Sequence, residues 1–124
     1  MKPGHYVDLF LLPLPRKNLA KYRRMAKFYA RFVKKHGALD YREFLGHDLN
    51  VPGMTPFTRY YKLKAGEGLV ASYVLYRNKA HRDAVNRKMM TDPEMKKSIE
   101  RVNKTMPFDM KRMCYGGFKT IITM

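Results

Sequence analysis

The distribution of apolar residues near the start of the chain constrains the fold more than any other feature. A strand predicted over Tyr6–Pro15 has two faces, one formed by Tyr6, Asp8, Phe10 and Leu12 and the other by Val7, Leu9 and Leu11. Because apolar side chains occur on both faces, the sheet needs a cover on each side. A helix of this chain supplies one cover, and the second cover need not come from this chain.

The next segment, Lys17–His36, has the periodicity of an amphipathic helix. Its apolar residues recur at helical spacing on one face: Tyr22, Met25, Ala26, Tyr29, Phe32 and Val33. Gly37 is placed to end the helix as its C′ residue. The pattern predicts one helix that packs against the first strand.

Further elements follow from turn and capping signals. We predict a strand over Ala38–Gly46 and a hairpin of Phe57–Lys64 with Leu69–Arg77. Asn78 caps a helix that extends to about Met90. Asp92-Pro93 begins another helix, whose apolar side carries Met95, Ile99 and Val102. The last predicted strand is Lys111–Thr123. The order predicts an α+β fold of the ferredoxin-like split β-α-β type, with one antiparallel sheet and helices on one face. The bare face predicts a homodimer.

Composition limits the class of protein. The 124 residues form one predicted domain, 1–124. No apolar run reaches the roughly 18 residues that span a bilayer, and Asp8 and Pro13 interrupt the first apolar stretch, so we expect neither a membrane span nor a signal peptide. A lone Cys114 excludes an intrachain disulfide. We expect a cytoplasmic protein.

Basic residues dominate the charge. There are 26 lysines and arginines against 10 acids, a net charge of +16, and no acid lies between Arg16 and His36. One interpretation is an anion-binding face, with Lys27, Arg31 and Lys35 as candidates, that could take nucleic acid. The other is a solvated polar face in an organism whose proteins are generally basic, and we favour it because no nucleic-acid-binding motif is present.

Two groups of residues are candidates for a ligand site. In the last strand, Gly116 and Gly117 indicate a bulge or a close approach, which fits a cleft edged by Asp109, Arg112 and Tyr115. Alternatively, the glycines let a dimer partner pack closely while Asp109 and Arg112 form an ion pair. Arg82 and Asn86 share a helix face and fit a ligand carboxylate or carbonyl, although we slightly favour the alternative that they anchor the helix to a loop.

Other chemistry has little support in the sequence. The four histidines lack metal-ligand spacing, so we expect no metal, and no cofactor-binding fingerprint is present. Glu43 and Asp48 need not converge, and Cys114 in mid-strand is expected to be buried. Six methionines between Met89 and Met113 fit either core filling or a deformable pocket.

Two runs in the second half carry a resemblance to a known family. The runs are His81–Lys97 and Met106–Phe118, and the matching patterns are RDAxNxKxM-x-DPxM and MPFDxKRMxYGGF. They resemble an uncharacterised bacterial family, a domain of unknown function among the dimeric α+β barrels. The resemblance implies the barrel fold and a homodimer, and it implies no reaction.

Three functions remain open at this point. The first is a small-molecule-binding protein or cofactor-independent enzyme with a pocket between sheet and helices. The second is a nucleic-acid-associated accessory protein that uses the basic helix. The third is an interaction module whose dimer surface is its purpose. We favour the first.

Overall fold

The computed structural model describes residues 2–124, except for the side chains of residues 102 and 103; the prediction for Val102 therefore lies outside the described residues. Seven elements follow in the order β1 (Tyr6–Pro15), α1 (Leu19–Lys35), β2 (Asp40–Leu45), β3 (Glu67–Tyr76), α2 (Lys79–Thr91), α3 (Pro93–Asn103) and β4 (Cys114–Lys119). The strands form one sheet in the order β2-β3-β1-β4, and every neighbouring pair is antiparallel. The predicted α+β class and antiparallel sheet are confirmed.

Local signals set the helix boundaries. Gly37 has a φ of 107° and ends α1, as its position in the sequence predicts. The Asn78 side chain accepts a hydrogen bond from the His81 backbone N–H at 2.8 Å and caps α2. Asp92 accepts one from the Glu94 N–H at 2.9 Å and begins α3.

The predicted hairpin is wrong. Phe57–Lys64 forms no strand and contains a short 3-10 turn at Phe57–Arg59. Because β3 pairs with β2 along one edge and with β1 along the other, no edge of β3 is free for a hairpin partner. The last strand is also shorter than predicted, since a 3-10 turn at Met110–Arg112 precedes it.

The register divides the sheet into two faces. The β1 residues Tyr6, Asp8, Phe10 and Leu12 face the helices, and Tyr6, Phe10 and Leu12 pack in two core clusters with residues of α1, β3 and α2. The opposite face of the sheet, which we call the outer face, includes exposed Leu9, Phe44 and Phe118. No helix within the described residues is long and apolar enough to cross a membrane.

Candidate functional site

One row of residues crosses the helix-facing side of the sheet at its centre. The register aligns Glu43 of β2, Ser72 of β3, Phe10 of β1 and Tyr115 of β4. Directly opposed residues on antiparallel strands point to the same face. Polar groups therefore lie at both ends of the row, with an aromatic ring between them.

A cavity of about 320 Å³ lies above the first three members of this row. The helix α1, the helix α3 and the segment before β4 line it, and it is partly open to solvent. Its walls are mainly aromatic and sulfur-containing and include Tyr22, Tyr29, Tyr41, Phe28, Phe108, Met25, Met95, Met106, Met110 and Met113. Its size is at the lower end of the range for small-molecule pockets, about 300–1,000 Å³.

Of the described residues that line the cavity, Glu43 is the only acid. Tyr22 donates its hydroxyl hydrogen to Oε1 at 2.7 Å, and Tyr41 donates to Oε2 in a short contact. Burial raises the pKa of Glu43, while hydrogen bonds from Tyr41, Tyr22 and Ser72 oppose the rise. A carboxylate oxygen has two acceptor positions, so Glu43 keeps acceptor capacity for a ligand.

A second polar group, the Asp8 cluster, consists of Asp8, Arg82, Asp83, Tyr115 and Tyr6. Arg82 Nη1 donates to Asp8 Oδ1 at 2.9 Å and to the Tyr115 hydroxyl at 2.5 Å, and Arg82 Nε donates to Asp83 at 2.8 Å. The guanidinium carbon lies 5.1 Å from the centre of the Tyr6 ring. Burial raises the pKa of Asp8, against hydrogen bonds from Tyr115 and Arg82.

Tyr29 and Phe10 lie between Glu43 and the Asp8 cluster. The rings of Phe10 and Tyr115 are 4.9 Å apart, and Phe10 also lines the cavity. Burial, followed by electrostatic interactions with Asp8, Tyr115 and Glu43, raises the pKa of Tyr29 to about 12. The Tyr29 phenol thus stays protonated at neutral pH and can donate a hydrogen bond into the cavity.

The structure separates the ligand candidates predicted from the sequence. It brings Arg82 and Tyr115 together, whereas Arg112 forms a bidentate pair with Glu67 at 2.6 and 2.9 Å. Asp109 accepts a hydrogen bond from the Lys111 N–H at 3.0 Å and does not pair with Arg112. Among the described residues that line the cavity, none is a ligand candidate predicted from the sequence: Arg82, Asn86, Asp109, Arg112 and Tyr115 all lie outside its wall.

The two glycines have different surroundings. A Cβ atom at Gly117 would lie 1.9 Å from the Tyr6 hydroxyl, so the predicted close approach occurs there, within one chain. A Cβ atom at Gly116, on the outer face, would meet only Phe118 at 3.6 Å. The prediction that Cys114 is buried is wrong, because β4 is an edge strand and the thiol is exposed.

The anion candidates lie on α1. Lys27 and Arg31 are exposed, and the Arg31 guanidinium lies 5.0 Å from the Phe28 ring centre. Lys35 Nζ pairs with Asp92 at 3.0 Å, so part of its charge is neutralised. Within the described side chains, no three His, Cys, Asp or Glu residues are placed to hold a metal ion.

Sequence reasoning missed Glu43 and Asp8 as site residues. Both carboxyls lie on the helix-facing side, where apolar residues are the rule. The signal that could have identified them is an acid two residues after an inward-facing tyrosine, Tyr6 or Tyr41, because residues two apart on a strand point to the same face. That signal is usable only once the register of the strands is known.

The comparisons with known sequences agree with one another. A model of the family described as protein of unknown function (DUF1428) matches residues 5–110. The uncharacterized protein YbaA of Escherichia coli K12 is 42% identical over 117 residues, which cover 94% of this chain and 97% of YbaA. The Shigella flexneri YbaA protein matches equally well.

Solved structures show the same fold at low identity. SnoaB, a cofactor-independent oxygenase from Streptomyces nogalater, aligns with a TM-score of 0.60 and 9% identity over 97% of this chain and 96% of its own. A NIPSNAP-like domain protein from Burkholderia xenovorans gives 0.59 and 12% over 97% and 88%. A dimeric ferredoxin-like protein from an uncultured marine organism gives 0.52 and 10% over 99% and 98%. The predicted ferredoxin-like fold is confirmed.

Proposed function

The chain belongs to the DUF1428 family, and from the geometry of its cavity we propose that it binds a largely apolar small molecule that donates a hydrogen bond to Glu43. The observation that carries the proposal is a half-buried carboxylate in a wall of aromatic and methionine side chains. Apolar pockets with a few placed polar groups are the usual form of small-molecule sites. The methionines allow the wall to adapt to the ligand.

The polar features of the cavity restrict the ligand class. Glu43 accepts hydrogen bonds, and Tyr29 can donate one. A flat aromatic body with one O–H or N–H group therefore fits better than an anion, which Glu43 would repel. Arg82 and Tyr115 lie beyond Phe10 and would reach only a ligand that extends past that ring.

N-phenyl-1-naphthylamine, a neutral fluorescent aromatic amine with one N–H donor, is a suitable probe. We expect saturable fluorescence enhancement with one probe per chain. Ala26→Phe fills the cavity from α1 and should abolish the enhancement, whereas Ala20→Phe, at an exposed position of the same helix, should leave it unchanged. Equal binding by both variants would overturn the proposal. Glu43→Gln should weaken binding and leave the stoichiometry unchanged.

A second candidate function is that of a cofactor-independent enzyme acting on the molecule bound in the cavity. The raised pKa of Glu43 favours it. A carboxylate with raised pKa is a better general base near neutral pH. In that reaction Glu43 removes a proton from an acidic O–H or C–H group of the bound molecule and returns it to another atom. Deuterium uptake from heavy water at a carbon atom of a small molecule extracted from the purified protein, lost in Glu43→Gln, would support catalysis; no uptake with the wild type would exclude it.

We further propose that the outer face forms a homodimer. Leu9, Phe44 and Phe118 are 40%, 50% and 54% exposed there, and Gly116 leaves that part of the face flat. The ferredoxin-like protein from the uncultured marine organism, which has a similar fold, is dimeric, and this supports the proposal. In sedimentation velocity, Phe118→Arg should give monomers, and Met90→Arg, at an exposed position on α2, should not. A wild-type monomer at high concentration would refute the dimer.

A further inference from the structure

The positive charge of the chain is concentrated in its helices. The helices α1, α2 and α3 carry fourteen lysines and arginines and only three acids, Asp83, Glu94 and Glu100. The rest of the chain has twelve basic residues and seven acids. Because the helices cover one side of the sheet, the excess lies on one side of the molecule.

The helix α1 presents its charges as a stripe. Its buried residues Tyr22, Phe32 and Val33 face the sheet, and Arg24, Lys27, Arg31 and Lys34 are exposed. From Arg24 to Lys34 the stripe is about 15 Å long at about 1.5 Å per residue. Duplex nucleic acid carries one negative charge per roughly 1.7 Å of axis, so several phosphates lie within that length.

The basic residues in and next to the stripe differ in whether their charged groups are paired with an acid. Lys35, next to the stripe, is held by Asp92. The Arg31 side chain lies against Phe28, which limits the rotamers of the guanidinium before any partner binds. Lys27 is exposed. Lys27 and Arg31 should therefore contribute more to anion binding than Lys35.

The surroundings of the stripe distinguish between polyanions. A helix that binds a membrane surface inserts its apolar face, but the apolar face of α1 is packed on the sheet. Single-stranded nucleic acid is usually held by exposed aromatic rings, and the α1 rings of Tyr22, Phe28, Tyr29 and Phe32 are buried or half-buried. A rigid double-stranded phosphate backbone needs neither feature.

We infer that the helical face of this protein, centred on Lys27 and Arg31 of α1, binds the phosphate backbone of double-stranded nucleic acid without reading its sequence. The inference does not rest on the cavity, although Arg31 lies against Phe28, which also lines the cavity. In the proposed dimer the helical faces would point away from the shared sheet face, so each copy would keep its own stripe.

The test is fluorescence anisotropy with a labelled 24-base-pair DNA duplex, two unrelated sequences and 50–200 mM salt. We expect equal affinity for both sequences and a linear fall of log K with log salt. Lys27→Glu/Arg31→Glu should weaken binding at least about tenfold at 100 mM salt and reduce the slope by about 1.8, or about 0.9 per lost phosphate contact. Circular dichroism checks that the variant is folded.

Lys62→Glu/Lys64→Glu is the matched control. It changes the net charge by the same amount, at exposed positions outside the helices. Affinity that stays within twofold of the wild type supports the inference. An equal loss in both variants would show that only net charge attracts the duplex, and tighter binding to phosphatidylserine vesicles or to single-stranded dT24 would also overturn it.

Discussion

Replacing Gly117 by alanine tests whether close packing between β4 and Tyr6 supports the Asp8 cluster. The new Cβ atom would lie 1.9 Å from the Tyr6 hydroxyl oxygen and 2.6 and 2.7 Å from two ring carbons. The Tyr6 ring must move. It is only 9% exposed, packs in the main core cluster and lies beneath the Arg82 guanidinium.

The magnitude follows from two opposing effects. Overpacking of this kind costs about 1–3 kcal/mol. Removing a glycine from the unfolded chain returns about 0.4–1 kcal/mol. We therefore expect a net loss of about 1–2 kcal/mol in the free energy of unfolding, or a fall of roughly 3–8 °C in Tm for a domain of this size.

Chemical denaturation at several protein concentrations is the assay. Gly116→Ala is the control, because its Cβ atom meets only Phe118 at 3.6 Å and should change protomer stability by less than about 0.5 kcal/mol. Any larger effect of Gly116→Ala should depend on concentration, as a change in the dimer surface would. Tyr6→Phe should recover part of the loss from Gly117→Ala, since it removes the nearest atom. If Gly117→Ala is as stable as the wild type, the packing argument is wrong.

Three further substitutions test buried polar groups. The Tyr76 hydroxyl is buried and has no hydrogen-bond partner in the part of the chain that the structure describes, so Tyr76→Phe should raise stability by about 1 kcal/mol in thermal unfolding; a loss would reveal a hidden partner. Hydrogen bonds from His36 and Lys35 lower the pKa of Asp92 to about 2, so its contribution is present above the unfolded pKa and is lost as pH falls towards 2. Asp92→Asn should thus lower the denaturant midpoint at pH 7 but not at pH 2, and an equal difference at both would refute the ionic role. Arg112→Lys should lower the midpoint, because one ammonium cannot replace the bidentate pair; an unchanged midpoint contradicts this.

The parts of the fold that depend on local chemistry could be predicted from sequence. The limits of β1 agree with its apolar run, and the Asn78 and Asp92 caps begin the helices where the sequence places them. Each of these signals acts over a few residues. Such signals need no knowledge of which strands pair.

The errors arise where strands compete for partners. Phe57–Lys64 alternates like a strand, but β2 and β1 occupy both edges of β3, so it has no place in the sheet. The place of Glu43 in the cavity could not be predicted from the sequence either. Its role depends on which face of β2 meets α1, and the register alone determines that.

The use of acidic residues links stability to the charged surface. At least seven of the ten acids are engaged in hydrogen bonds or ion pairs, at Asp8, Asp40, Glu43, Glu67, Asp83, Asp92 and Asp109. Several join separate elements, such as β1 to α2 through Asp8 and Arg82, and β2 to α1 through Glu43 and Tyr22. The three acids of the helices are too few to neutralise their fourteen basic residues, so the helices keep a basic surface. Strong self-repulsion costs stability, so a fold that retains such a surface must hold it through tertiary bonds, and a polyanion bound there would relieve the repulsion.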